Sequence, residues 1–321
     1  MRLIKTEDAV GHVLCHDMTQ IIKDQYKDAR FRKGHVVTEE DIPVLLSMGK
    51  EHLYVWEMTS GMVHENDAAE RLLALCGQEN MVRSGVKEGK IELKAACDGV
   101  FLVDSARLVA VNSQDEVMIA TRKGGMAVRE GDKLAGMRVI PLIIEEEKLR
   151  KAEQAAGDKP LLSLKPYVRK TACIVATGGE VKKGLIKDTF TPVVIDKLKT
   201  YGIETLEVVY SGDGVENVRD AVLTMREKKP DMILCTGGMS VDPDDNTPGG
   251  IKAAGANIIV YGAPVLPGAM FLLGYFDDGM PVMGLPGCVM YAGATVFDLV
   301  LPKIAADVPV TRADLAALGE G

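Results

Sequence analysis

Most of the residues in this sequence that could do chemistry sit in four short stretches rich in glycine. Thr177, Gly178 and Gly179 lie in ATGGEVKKGLIKD (176–188), and Asp213 lies between two glycines in YSGDGVEN (210–217). Thr236, Gly237, Gly238 and Ser240 lie in CTGGMSVDPDDNTPGG (235–250), and Gly284, Pro286, Gly287 and Cys288 in GLPGCVMYAG (284–293). Glycine lets backbone N–H groups approach an anion closely, and the start of a following helix adds a favourable field. One double glycine is an ordinary turn; its recurrence points to a cradle for a phosphate group. The same stretches collect Asp188, Asp213, Asp242, Asp244 and Asp245. Acids beside a bound phosphate repel it unless a hard cation bridges them. The pattern therefore predicts a Mg²⁺ site among these acids. For Asp188 and Asp213 the competing role is capping a helix; the 242–245 cluster is too dense for capping alone.

Other chemistries are excluded or weak. All five histidines lie at or before His64, so the rest of the chain holds neither a Ser-His-Asp triad of its own nor an H-E-x-x-H zinc motif. His12 and His16 beside Cys15 have the spacing of a helical metal pair, but Gly11 and the β-favouring flanks oppose a helix there. The six cysteines include no C-x-x-C pair, which argues against a disulfide framework or zinc finger. Arg122 and Lys123 read as solvent-facing strand charges, with an anion contact as the weaker alternative.

The elements that must position these residues follow from periodicity. Residues 167–321 alternate strand and helix. TACIVAT, ETLEVVY and DMILCTGG are apolar strands ended by glycines or a turn. In the first intervening helix Phe190, Val193, Val194 and Leu198 form an apolar face; in the second Val215, Val218, Val222 and Met225 do. A final helix is expected from about Val289 to Lys303. The fold class is α/β, with a mainly parallel sheet and helices on both faces. In such open sheets ligands bind at the carboxyl ends of the strands, where all four stretches fall. Residues 1–60 read as a small α+β segment and 61–150 as a helix followed by a β-rich domain. RLVAVN is taken there as one of several short strands. Residues 151–166 read as a linker.

The chain has 321 residues and a net charge of −8, and both halves carry more acids than bases. That opposes binding to a nucleic-acid backbone. No apolar run approaches about 18 residues, so no membrane partner is expected, and the start of the chain has no signal core. The expected location is cytoplasmic.

The runs TACIVATGGEVKKGLIKDTF, SGDGVENVRDAV, DMILCTGGMSVDPDDNTPGGI and GLPGCVMYAGATVFDLVLPKI, in that order, resemble the molybdenum-cofactor-biosynthesis domain. Molybdopterin molybdenumtransferases and adenylyltransferases share that domain, and the likeness spans about 167–306. The resemblance implies a site for molybdopterin, a pterin dithiolene bearing a phosphate, lined by Thr236, Gly237, Gly238 and Ser240. It implies that Asp213 and Asp245 are the functional carboxylates, that with Asp242 they hold the Mg²⁺, and that Asp188 matches another recurring acid. Two features depart from the transferases. The GLPG run continues Cys288-Val289 where theirs usually continues Asn-Pro, and no Asp-Gly-Tyr-Ala motif is present. Cys288 then reads as a small residue starting a helix, or as a contact to dithiolene or molybdenum. The implied activity is Mg²⁺-dependent insertion of molybdate into adenylylated molybdopterin. The extra N-terminal domains favour this over adenylylation. The alternatives are a non-catalytic carrier of molybdopterin or the finished cofactor, and a nucleotide pyrophosphatase like the competence-damage-protein relatives. A homo-oligomer is expected, a dimer ahead of a trimer.

Overall fold

The computed structural model describes residues 2–22, 26–56, 61–240 and 245–320, except the side chains of 21, 22, 26 and 27. The chain forms two compact units: 1–97, 101–124 and 129–164 make the N-terminal one, and 98–100, 125–128 and 165–321 the C-terminal one.

The C-terminal unit is built on six strands: β1 (Thr171–Thr177), β2 (Glu204–Ser211), β3 (Met232–Thr236), β4 (Asn257–Tyr261), β5 (Leu272–Tyr275) and β6 (Pro281–Leu285). Their order is β2-β1-β3-β6-β5-β4. The first four pair in parallel and the last two antiparallel. Side chains along β1 alternate between the faces. Ala172 and Ile174 join a core with helices α1 (Phe190–Thr200) and α4 (Val296–Ala305). Cys173 and Val175 join the opposite core, with α2 (Val215–Glu227) and α3 (Thr247–Ala253). This two-faced burial explains why the strands read as continuous apolar runs. Val194 and Leu198 of α1 and Val218, Val222 and Met225 of α2 are buried, as their spacing requires.

Two expectations for this unit change. The final helix does not run from Val289. A single 3-10 turn covers Gly287–Met290, and α4 starts at Val296, where Thr295 and Asp298 form a reciprocal cap. The third loop also ends early, because its last glycines lie within α3. There Gly250 packs directly against Val218 of α2, where a Cβ would have no room.

The N-terminal unit contains a three-stranded antiparallel sheet of Arg2–Lys5, His52–Trp56 and Val13–Leu14 beside the helix Asp41–Ser47. Leu14, Phe31, Leu45, Leu53 and Val55 are in its core. A second antiparallel sheet has the order Val117–Thr121, Lys133–Val139, Ile91–Ala95, Met81–Arg83. The segment RLVAVN is not a strand: Ser105–Asn112 is a helix, capped by Asp104, whose carboxylate accepts from Arg107 N. Residues 151–166 are not a plain linker either. The helix Glu146–Ala156 continues into them, burying Leu149, Ala152 and Ala156, and Leu162–Pro166 is a strand. Small alanines make this buried face look polar by composition. No helix among the described residues is long and apolar enough to cross a membrane.

Candidate functional site

The carboxyl ends of β1, β2, β3 and β6 deliver the four stretches to one edge of the C-terminal sheet. Hydrogen bonds then join them. Thr177, ending β1, donates from Oγ1 to Thr236 O at 2.8 Å. Thr247, at the start of α3, donates from Oγ1 to Gly237 O at 2.8 Å and lies 3.1 Å from Thr177 Oγ1. The two hydroxyls have two protons for three contacts, so only two act as hydrogen bonds at once. This staple holds the first and third stretches together. It also sets what fits: Gly237 has φ +82°, and a Cβ there would stand 2.5 Å from Thr177 O.

Asp213 does not cap α2. Its carboxylate crosses to the first stretch and accepts from Gly179 N at 3.0 Å. Lys182, which the sequence reading passed over, lies alongside Gly212 and brings a cation to this part of the edge. Asp188 takes the capping role: its Oδ1 accepts from Phe190 N at 2.9 Å and Thr191 N at 3.0 Å. Burial would raise its pKa, but the hydrogen bonds from Thr191, Phe190 and Tyr210 outweigh burial and hold the carboxyl below the usual aspartate range. Next to it, Thr189 Oγ1 donates to Met290 Sδ at 3.0 Å, tying the first stretch to the turn after β6.

The third stretch is closed by Asp245, whose Oδ2 accepts from Ser240 N at 2.9 Å. Tyr261 supports it from β4, donating to Met239 O at 2.9 Å. Asp242 and Asp244 lie outside the described residues. Of the proposed magnesium ligands, Asp213 and Asp245 each accept a backbone amide of the cradle. Among the described residues no three acids, histidines or cysteines group as a metal site.

Thr177, Gly178, Gly179, Thr236, Gly237, Gly238, Ser240, Asp213 and Asp245 fall on the joined loops. Gly284 does not: it is buried inside β6 and leaves room for Met239. Pro286 is buried after it, and Gly287 is exposed. Cys288 lies in the 3-10 turn instead of starting a helix. Cys235, one residue before Thr236, is fully buried, and burial pushes its thiol up to about 12. It belongs to the core. Thr247, Lys182 and Tyr261 were missed. Thr247 was detectable as a hydroxyl residue preceding Pro at a helix start, whereas Lys182 and Tyr261 carry no local signal.

Comparison with known proteins bears on this edge. Residues 173–306 match a family model described as "Probable molybdopterin binding domain", so the C-terminal unit carries a domain of that family. Residues 3–57 match a domain of unknown function (DUF8806). A CinA-like protein of Mycobacterium tuberculosis (strain ATCC 25618 / H37Rv) is 33% identical over 76 residues, 24% of this chain and 18% of that protein. A CinA-like protein of Petrotoga mobilis is 32% identical over 76 residues, 24% of this chain and 19% of that protein. The chain thus spans under a fifth of the length of these curated relatives. The molybdopterin biosynthesis Mog protein from Mycobacterium ulcerans superposes over 43% of this chain and 97% of its own, at 19% identity and a TM-score of 0.36. The protein CinA, of unknown function, from Thermoplasma acidophilum covers 42% and 98%, at 18% identity and 0.36.

Proposed function

We propose that the carboxyl edge of the C-terminal sheet binds molybdopterin, and that the protein works in assembly of the molybdenum cofactor. The match of residues 173–306 to the molybdopterin-binding family carries this reading. The joined loops support it. Gly237 and Gly238, both at positive φ, put no side chain between their backbone and a phosphate, and Lys182 adds a positive charge beside Gly212. The finer reading is insertion of molybdate into adenylylated molybdopterin with release of AMP. In that reaction the chain's own task is to hold the pyrophosphate against the Gly237-Gly238 turn, beside the Gly178-Gly179 turn, whose amides are given to Ser211 O and Asp213. Asp213 and Asp245 keep those turns in shape through Gly179 N and Ser240 N.

Titration calorimetry with molybdopterin, followed by assay of AMP release from its adenylylated form with molybdate and Mg²⁺, tests both levels. Saturable binding and molybdate-dependent AMP release are expected. Asp245→Asn should lower that release about a hundredfold or more, the scale of losing a charge-stabilising group. Binding without release in the unaltered protein makes it a carrier. Hydrolysis of nucleotide pyrophosphates without molybdopterin makes it a pyrophosphatase. No binding at all removes the proposal.

A further inference from the structure

A second cavity, of about 530 Å³, lies wholly in the N-terminal unit; Cys15, Arg32, Lys33, Trp56, Glu65 and Arg138 are among its lining residues. Its unusual member is Glu65. This residue is only 4% exposed, and among the described residues its carboxylate has no hydrogen bond and no ion pair. The surroundings are built firmly around it. Glu65 begins the helix Glu65–Ala74, and its own N–H donates to Leu142 O at 2.8 Å. His64 Nδ1 accepts from Asn66 N at 3.2 Å, which leaves the ring proton on Nε2 to donate to Gly34 O at 2.9 Å. Asn66 Oδ1 accepts from Gly89 N at 3.1 Å. Both glycine turns are thereby pinned against the carboxylate, and a Cβ at Gly89 would stand 2.6 Å from Glu65 Oε2. Among the described residues the fold positions this carboxylate tightly in the cavity wall and gives it no hydrogen-bond partner, which leaves its oxygens to water or to a donor bound in the cavity.

The rest of the cavity narrows what that is. Arg32, Lys33 and Arg138 bring positive charge, while Glu88 stands 4.0 Å from Arg32 and Asp17 Oδ1 is taken by Lys33 N at 2.7 Å. A simple amine would answer Glu65 and be repelled by three cations. A simple anion would suit the cations and be repelled by Glu65. Trp56, the chain's one tryptophan, is 37% exposed and adds a flat aromatic surface. We infer that this cavity binds a planar heterocycle carrying both a paired N–H edge and a phosphate: the edge donates to the two oxygens of Glu65, the ring lies on Trp56, and the phosphate meets Arg32, Lys33 and Arg138. A guanine nucleotide and a pterin phosphate share that chemistry.

Because Trp56 is the single tryptophan, its fluorescence reports on this cavity in the full-length protein. Titrations use guanosine monophosphate, a pterin monophosphate, adenosine monophosphate and inorganic phosphate. Saturable quenching is expected from at least one of the first two, and whichever binds tighter identifies the source. Adenosine monophosphate lacks the paired N–H edge and should bind about tenfold more weakly. Glu65→Gln should weaken the ring ligand about tenfold, since it replaces one acceptor by a donor. Arg32→Ala, at an exposed position, should raise Kd severalfold and flatten its salt dependence. Gly237→Ala, in the other unit, should leave Trp56 quenching unchanged in whatever fraction stays folded, which separates this site from the molybdopterin edge. Equal affinity for the guanine and adenine nucleotides, quenching by phosphate alone, no saturable quenching by either ring ligand, or unaltered affinity in Glu65→Gln would each overturn the inference. Should Glu65→Gln fail to fold by circular dichroism, the nucleotide discrimination and Arg32→Ala decide.

Discussion

Asp188 and Glu65 are both carboxylates at the start of a helix, one in each unit, and burial acts on both. They end in opposite states. Asp188 gives Oδ1 to two backbone amides and has Thr191 and Tyr210 beside it, and it is held below the ordinary aspartate range. Burial raises Glu65, and the neighbouring His64, Arg138 and Lys33 offset only part of that rise. The difference separates two uses of an acid. Asp188 spends Oδ1 on two amides of the first turn and so fixes where α1 begins, while its Oδ2 is buried without a hydrogen bond. Glu65 is fixed in place and left incomplete. The same contrast holds for the surroundings. The C-terminal edge is made largely of backbone, stapled by Thr177 and Thr247, whereas the N-terminal cavity is made of side chains from scattered positions.

The largest effect should come from breaking the backbone construction. Gly237→Ala puts a Cβ 2.5 Å from Thr177 O at a residue with φ +82°. Strain and overpacking together should cost about 2–4 kcal/mol in urea unfolding and abolish molybdopterin binding. Gly255→Ala is the control: it has a similar φ of +93° with no atom within 4 Å of the added Cβ. It should cost about 1 kcal/mol. Equal costs for the two would mean that the close approach of β1 and the third loop is not what fixes this edge.

That construction also governs what could be read from sequence. The C-terminal cradle was legible because glycine and aspartate cluster locally, each cluster directly following an apolar strand. The N-terminal cavity was not, because Cys15, Arg32, Trp56, Glu65 and Arg138 are far apart in the chain and each looks like an ordinary residue in its own segment. Ser105–Asn112 was misread for a related reason. Its apolar residues fit a strand equally well, and the helix is anchored by contacts that no local pattern encodes: Arg107 donates to the carbonyls of Ala156 and Pro160. The end of the chain was partly readable. The Thr295-x-x-Asp298 cap marks the true start of α4, at Val296 where the glycine-rich turn suggested Val289. The magnesium set depended on Asp242, which lies outside the described residues.

A smaller effect tests the capping acid. Asp188→Ala removes the acceptor for Phe190 N and Thr191 N and should cost about 1 kcal/mol near neutral pH. The folded carboxyl lies below its unfolded value, so the unfolded state binds the proton more readily. Its stabilisation is therefore present above the ordinary aspartate pKa and lost as pH falls through the folded value. The gap between wild type and Asp188→Ala, measured by urea unfolding, should narrow in acid. A gap independent of pH would mean that the charge of Asp188 contributes nothing to the cap.

The smallest expected effect has the opposite sign and tests the incomplete acid. The Glu65 carboxyl is raised in the folded state, so the folded protein holds its proton more tightly than the unfolded chain does. This group's contribution therefore favours folding when it is protonated, in acid, and is lost as pH rises through the folded value. Above that value an ionised carboxylate stays buried without a hydrogen bond, facing Arg138, Lys33 and Glu88 across the cavity. Glu65→Gln has nearly the same shape and does not titrate. Without ligand it should match wild type in acid and gain roughly 0.5 kcal/mol at neutral to mildly alkaline pH, a stabilisation accompanied by loss of binding at the cavity. Thermal melts of both proteins across that range, without ligand, supply the measurement. If wild type becomes the more stable of the pair as pH rises, then Glu65 has a partner inside the fold, and it is an acid of the same kind as Asp188.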